Sequence, residues 1–369
     1  MSWEFSSFES WSVSTRYRRK ALLEQDEFFA LPEIDSDYTA LITFLNDVLQ
    51  DHLSLDLEFE GELSPSFEKS LGRGSSFIVR GVNQREDISD RGQLVYKGSR
   101  AKDGRNSRTS SLVREALVLS HPILKSHPNI VALKGIAWEQ DDDSETCLPV
   151  LVLEYAPLGD LSSFLNKNTV SMEVRAAFCS DVANGLYALH KLGMAHGDVK
   201  CENVLVFQDD FSSTGYVAKL SDFGFVEVCS VNGTKRLNKG TFPWNSPEWM
   251  DSIEVKSIPL TDIYSLGLLI WRCMLNGQNP FDGSPFTSFP ASDRMQEIEV
   301  RKRNDQLLED ALSSISNLEG IGSNIKDTFR HSLRANPGER DLKKIIWLLQ
   351  SGSAELYAQI NHLHYMYKI

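Results

Sequence analysis

The chain has 369 residues, 41% of them hydrophobic, which is more than one ordinary domain uses and enough apolar surface for a substantial core. Its formal charge of −13 sets the long-range field against a nucleic-acid backbone or an anionic membrane, so neither is expected as the main partner. The five cysteines are scattered and odd in number, which indicates neither a disulfide framework nor a zinc site and implies a reducing, cytoplasmic compartment.

The N-terminal residues lack both a basic start and an apolar stretch of leader length, and the longest apolar run, Leu266 to Leu275, is short and contains Arg272. No membrane span is expected. Residues 1–65 form an extension in which Leu41, Phe44, Leu45, Val48 and Leu49 share one helical face, either to pack on the rest of the chain or to dock a regulatory partner. From Phe67 the pattern turns to short strand-like pieces at Ser76 to Val82, Gly92 to Lys97, Val131 to Trp138 and Val150 to Glu154, with one helical stretch from Ser110 to Leu119. That predicts a small, mainly β lobe over residues 66–155. After Leu161 the periodicity is helical, broken only by strand-like segments at Val204 to Phe207 and Val217 to Ser221. A larger, mainly α lobe is predicted over 156–350 with a helical tail at 351–369, and the fold class is α+β. The charged runs Arg16 to Lys20, Asp141 to Asp143 and Arg301-Lys302-Arg303 read as solvated surface, Arg100 to Arg114 as a mobile loop ahead of the helix, and His121 and His127 as turn residues beside Pro122 and Pro128.

The chemistry concentrates in His196-Gly197-Asp198-Val199-Lys200-Cys201-Glu202-Asn203 and in Asp222-Phe223-Gly224, nineteen positions after Asn203. Phosphoryl transfer to a hydroxyl needs a carboxylate for the proton, a cation on the moving phosphate and oxygen ligands for Mg²⁺. Asp198, Lys200, Asn203 and Asp222 are groups of those kinds in that order, and the pair of segments resembles the active centre of the eukaryotic protein kinases, serine/threonine type. The resemblance runs over residues 66 to 350. Leu71-Gly72-Arg73-Gly74-Ser75-Ser76-Phe77 looks like the glycine-rich loop, where backbone N–H groups approach phosphate. Lys97 stands where the strand lysine would hold the α- and β-phosphates, with Glu115 as its helix partner. Leu153-Glu154-Tyr155-Ala156 is similar to the segment joining the lobes, and implies adenine bonded by the backbone of Glu154 and Ala156 in a pocket lined by Val79, Val95, Leu153 and Leu205.

The resemblance therefore implies a two-lobed kinase fold, ATP and Mg²⁺, Asp198 as general base with Lys200 beside the moving phosphate, and Asn203 and Asp222 as metal ligands. It makes His196 structural beside Phe223, pairs Glu248 of Ser246-Pro247-Glu248 with Arg340, and starts a buried helix at Asp262. Lys200 and Gly240-Thr241 are similar to serine/threonine rather than tyrosine kinases, so protein Ser or Thr hydroxyls are the expected acceptors. Two residues depart from the pattern. Phe77 replaces the third glycine, and Gly197 stands where many kinases place an arginine that waits for a phosphate on the activation segment, Asp222 to Glu248; glycine implies activity without that phosphate. Ser230, Thr234 and Thr241 are the segment's hydroxyls, with Lys235, Arg236 and Lys239 near them. Two other classes compete: a catalytically inactive scaffold, which would commonly lack one of these polar groups, and a small-molecule phosphotransferase, whose catalytic loop also carries His-Gly-Asp. No HExxH or Gly-x-Ser-x-Gly supports a metalloprotease or hydrolase.

Overall fold

The strand-like pieces beginning near Phe67 pair into one antiparallel sheet. The computed structural model describes residues 69–73, 77–81, 94–99, 105–140, 147–229, 232–237, 240–316 and 322–351, all within the unit Leu45–Ile369. The helical face predicted at Leu41 to Leu49, the runs at Arg16 and Asp141, Gly74, Ser230 and Lys239 lie outside these residues.

The sheet comprises β1 (Lys69–Arg73), β2 (Phe77–Gly81), β3 (Leu94–Ser99), β4 (Leu133–Gln140) and β5 (Cys147–Glu154), in the order β1-β2-β3-β5-β4. Strand β3 is central, with Val79 opposite Lys97 on one side and Leu153 opposite Val95 on the other. Helix α1 (Arg105–Ser120) lies between β3 and β4 in the chain and buries Leu112, Val113, Ala116 and Leu119. It starts five residues before the predicted stretch, so most of the basic segment read as a mobile loop is the helix's own first turns. Arg, Asn, Ser and Thr there carry no apolar period to announce a helix, yet none of them forbids one.

The second lobe is built on α2 (Leu161–Lys167), α3 (Met172–Lys191) and α4 (Pro259–Met274). Asp160 caps α2 by accepting the Ser163 N–H at 2.8 Å, and Ser171 caps α3. Proline at the first position of α4 suits a helix start, and nearly every residue from Thr261 to Met274 is buried. The hairpin β7 (Val204–Gln208) and β8 (Tyr216–Leu220) packs on α3 and follows β6 (Met194–Ala195), which pairs with β9 (Glu227–Val228). A second short ladder joins β10 (Thr234–Arg236) to β11 (Ser252–Glu254). Helices α5 (Ala291–Arg303), α6 (Gln306–Ser314), α7 (Gly322–Arg330) and α8 (Leu342–Gln350) complete the lobe.

Two expectations need correction. The second lobe holds β6 and β9 to β11 besides the predicted hairpin, because strands of two or three residues owe their existence to distant partners rather than to local pattern. Arg301-Lys302-Arg303 is not uniformly solvated: Lys302 is 0% exposed, at the i+4 position from buried Ile298 on the inner face of α5. Among the described residues no helix is long and apolar enough to cross a membrane.

Candidate active site

Lys97 leaves the central strand toward α1 and places its Nζ 2.9 and 2.7 Å from the two Glu115 carboxylate oxygens. The same ammonium donates to Asp222 Oδ1 at 2.9 Å. Lys97 is 6% exposed and Glu115 not at all. Burial opposes a charge on Lys97, but the Glu115 and Asp222 carboxylates outweigh it and hold the ammonium above its usual range. Burial likewise works against the Asp222 carboxylate, and the neighbouring Lys97 keeps it below the usual carboxylate range nonetheless.

Helix α1 is locked to the segment after Asp222 as well as to Lys97. Ser111 Oγ and Arg114 Nη1 donate to the Gly224 carbonyl at 3.2 and 3.0 Å, and a Cβ on Gly224 would lie 2.2 Å from Ser111 Oγ. Phe223 is fully buried, its ring centroid 5.1 Å from that of His196. Asp222 itself sits at φ 62°, ψ 69°, a left-handed backbone that costs a non-glycine residue about 1–2 kcal/mol and is held there by these contacts.

In the loop between β6 and β7, Asp198 is 4% exposed and each of its carboxylate oxygens is engaged. Oδ2 accepts Lys200 Nζ at 2.5 Å and Asn203 Nδ2 at 2.9 Å, while Oδ1 accepts Thr241 Oγ1 at 2.7 Å. Lys200 also donates to Thr241 Oγ1 at 2.6 Å, and Asn203 Nδ2 to the Asp198 carbonyl at 2.8 Å. Beneath the loop, Asp262 at the start of α4 accepts the backbone N–H groups of His196 and Gly197 at 2.7 and 2.9 Å and lies 2.9 Å from His190 Nε2. Burial disfavours the Asp262 charge, yet His190 and these donors hold its carboxyl below the usual range. The sequence marked Asp262 only as a helix start; no local signal shows that it carries the loop.

The predicted adenine-site residues are arranged less completely. Leu153 and Val95 are cross-strand neighbours, 6% and 7% exposed, and Ala156 is 9% exposed just beyond β5. Leu205 is half-buried on β7 and bridges through backbone to Asp160. Gly72 belongs to β1 and pairs with Val79, so it is strand as much as loop. The Glu154 side chain is turned to other work: it accepts the Ala132 N–H at 2.8 Å and pairs with Lys219 Nζ at 2.9 Å.

Asn203 and Asp222 are the residues that would hold a hard dication. The Asn203 amide nitrogen is committed to Asp198, which leaves its oxygen as the donor, and the Asp222 side chain is 32% exposed with one oxygen on Lys97. No cluster of three or more His, Cys, Asp or Glu that would hold a metal occurs among the described residues. Two oxygen ligands without a closed cage suit Mg²⁺, which takes its other ligands from phosphate and water.

The architectural pairings are also formed. Arg340 Nη1 and Nη2 reach the two Glu248 oxygens at 2.6 and 3.0 Å, a buried bidentate pair. Cys201 is fully buried, and its hydrogen bond with Cys273, together with burial, pushes its thiol well above the usual range; neither thiol is poised to react.

Comparison with known proteins gives the family. The family model for the protein kinase domain matches residues 66–344. Probable serine/threonine-protein kinase gdt4 of Dictyostelium discoideum is 27% identical over 303 residues, covering 81% of this chain and 16% of that protein. Serine/threonine-protein kinase ULK3 of Homo sapiens is 26% identical over 258 residues, 67% of this chain and 49% of its own. Tyrosine-protein kinase receptor svh-2 of Caenorhabditis elegans is 29% identical over 184 residues, 48% of this chain and 15% of the receptor. The chain thus spans less than half the length of each of these relatives. With more than half of its residues inside the family model and a two-lobed α+β fold around Lys97, Asp198 and Asp222, the chain belongs to the eukaryotic protein kinase family.

Proposed function

We propose that this chain is an active protein kinase that transfers the γ-phosphate of ATP to Ser or Thr hydroxyls of protein substrates, without needing a phosphate on its own activation segment. The observation that carries the reading is the unbroken run of charge-assisted bonds from Glu115 through Lys97 to Asp222, beside the cluster of Asp198, Lys200, Asn203 and Thr241. An inactive scaffold has no need to keep every one of these groups paired.

In this reading Asp198 accepts the acceptor's hydroxyl proton as its oxygen bonds the γ-phosphorus and the bond to the β-bridging oxygen breaks, with ADP as the leaving group. Thr241 and Asn203 hold the two carboxylate oxygens in one orientation, so little reorganisation is left for the moment of reaction. Lys200 faces the charge that develops on the moving phosphoryl group. Lys97, kept cationic by its two carboxylates, binds the α- and β-phosphates. Asn203 and Asp222 would hold Mg²⁺, which supplies charge neutralisation on the phosphate oxygens. The Leu153 to Ala156 segment with Val79, Val95 and Leu205 receives adenine.

Two features support the specificity and regulation in this proposal. The Lys200–Thr241–Asp198 cluster joins the catalytic loop to the segment before Ser246-Pro247-Glu248 in the manner the serine/threonine resemblance implies. The activation segment is held by unmodified groups: Lys235 pairs with Glu227, Arg236 Nε donates to the Met250 carbonyl at 2.6 Å, and β10 is laddered to β11. With Gly197 there is no arginine to be neutralised.

The test is Mg²⁺-dependent transfer of labelled γ-phosphate to casein and myelin basic protein by enzyme expressed unphosphorylated, beside Asp198→Asn and Lys97→Met. Transfer to Ser and Thr by the wild type, lost about 10²- to 10⁴-fold in Asp198→Asn with nucleotide affinity kept, is the expected result. A folded wild type that binds ATP and transfers to no protein would overturn it. Abolition of transfer by Ser230→Ala with Thr234→Ala would overturn the phosphate-independent part alone.

A further inference from the structure

A lysine occupies a position where α5 should be apolar. Ile298 and Lys302 are one helical turn apart on the same buried face, 2% and 0% exposed. An ammonium withdrawn from water costs several kcal/mol unless its protons are matched, so its partners reveal what keeps it there. All three are oxygens: the Asn245 carbonyl at 2.9 Å, Asn245 Oδ1 at 3.3 Å and Glu299 Oε1 at 3.0 Å. The Phe242 ring lies over the same Nζ, 5.1 Å from its centroid.

Two of those oxygens belong to one residue of the loop that begins at Gly240. That loop is short and tied at both ends. At one end Thr241 Oγ1 donates to Asp198 and accepts from Lys200; its carbonyl then accepts the N–H groups of Trp244 and Asn245 at 2.8 and 3.2 Å. At the other end Asn245 is held through both its carbonyl and its amide oxygen by Lys302, and its Nδ2 makes no hydrogen bond among the described residues. The path from Lys302 to the Asp198 carboxylate therefore runs through one turn of backbone and one hydroxyl. Among the described residues nothing else bonds the Asn245 side chain.

We propose that Lys302 is a positioning residue for phosphotransfer: it clamps Asn245 from below and so sets where the Thr241 to Ser246 loop presents an acceptor hydroxyl to Asp198. The assignment rests on the kinase reading above and adds to it a residue outside the cleft, on a helix that no catalytic motif touches. Its charge is accessible to titration. Burial pulls the ammonium down to about 8, against the upward pull of Glu299 and Glu248, while Arg303 adds to the lowering. Glu299 and Arg303 face it from its own helix and Glu248 from the segment just after the loop; Glu248 is in turn matched by Arg340. A neutral amine has two protons for three oxygens.

The experiment compares wild type, Lys302→Met, Lys302→Arg and Asn245→Ala, with myelin basic protein as the acceptor. Expected is a rise of about tenfold in KM for the acceptor in Lys302→Met, the scale of one lost charge-assisted hydrogen bond, with KM for ATP unchanged. Lys302→Arg, which keeps the charge, should recover part of the loss. Wild-type acceptor KM should climb through pH 8 while that of Lys302→Arg stays level. Asn245→Ala should add little on top of Lys302→Met, since both break one link. Equal rises in KM for ATP and acceptor, or full additivity of the two substitutions, would overturn the proposal as a mere loss of folding. Amide exchange over residues 240–248 decides the clamp independently of turnover: unchanged protection factors in Lys302→Met refute it, whereas an inactive wild type refutes the kinase reading instead.

Discussion

Gly197 is the point at which this catalytic loop departs most from the arginine-bearing pattern, and its backbone gives a quantitative reason. It sits at φ +79°, and a Cβ built there would lie 2.6 Å from the Phe225 carbonyl oxygen, well inside contact distance. Both neighbours are immobile: the Gly197 N–H is fixed by Asp262, and Phe225 follows the segment locked to α1. Alanine at 197 should therefore pay about 1–2 kcal/mol for the left-handed backbone and about 1–3 kcal/mol for forcing the two strands of chain apart. At about 2 °C per kcal/mol for a domain of this size, the melting temperature should fall by about 4–10 °C. Gly159 supplies the control, because it has φ +76° with nothing within 4 Å of its would-be Cβ. Gly159→Ala should show the backbone cost alone, about 2–4 °C. Scanning calorimetry on the three proteins separates the two effects. Equal losses in Gly197→Ala and Gly159→Ala would refute the close approach of Phe225, and no loss at all in Gly197→Ala would refute the left-handed backbone too. Arginine at 197 should be worse than alanine, since it brings the same Cβ and a cation as well.

The remaining expectations concern stability. Arg340→Met leaves the Glu248 carboxylate buried without its bidentate partner and abandons the Leu260 and Ala335 carbonyls, so a loss of about 3–5 kcal/mol is expected in urea denaturation, with activity lost through unfolding rather than chemistry. Asp181 should make stability fall as pH rises. Burial lifts its carboxyl from 3.8 to about 7, against the bonds from the Ala218 N–H and Asn129, so the folded state holds a proton that the unfolded state has released. The group's contribution is complete below about pH 4 and lost as pH passes 7, about 4 kcal/mol in all. Asp181→Asn should flatten that slope and be the more stable protein at pH 8; a variant less stable than wild type at pH 8 would contradict the sign.

What the sequence made legible is chemistry carried by neighbours in the chain, and what it hid is support carried across it. Asp198, Lys200 and Asn203 fall within six positions, and the sheet strands show their alternation, so both were readable from local pattern. Lys97 and Glu115 were readable because the resemblance fixes their spacing. Asp262 is different: it lies 66 positions from the His196 N–H that it holds, at the head of a helix whose apolar character says only that it is buried. Lys302 is hidden for a further reason. A basic triplet looks solvated until the phase of the helix is known, and the phase is set by Ile298 four residues earlier and by the loop it packs on, 57 positions away. Glu154 shows the same limit inside a recognised motif, for its side chain serves Ala132 and Lys219. The reacting groups of such a site are thus written in short words, while the residues that fix their positions are polar groups placed at buried positions that pattern reading assigns to apolar side chains or to solvent. A polar residue on the buried phase of a helix, paired to a backbone carbonyl of a functional loop, is accordingly the feature to seek when a motif is already known and its precision is not explained.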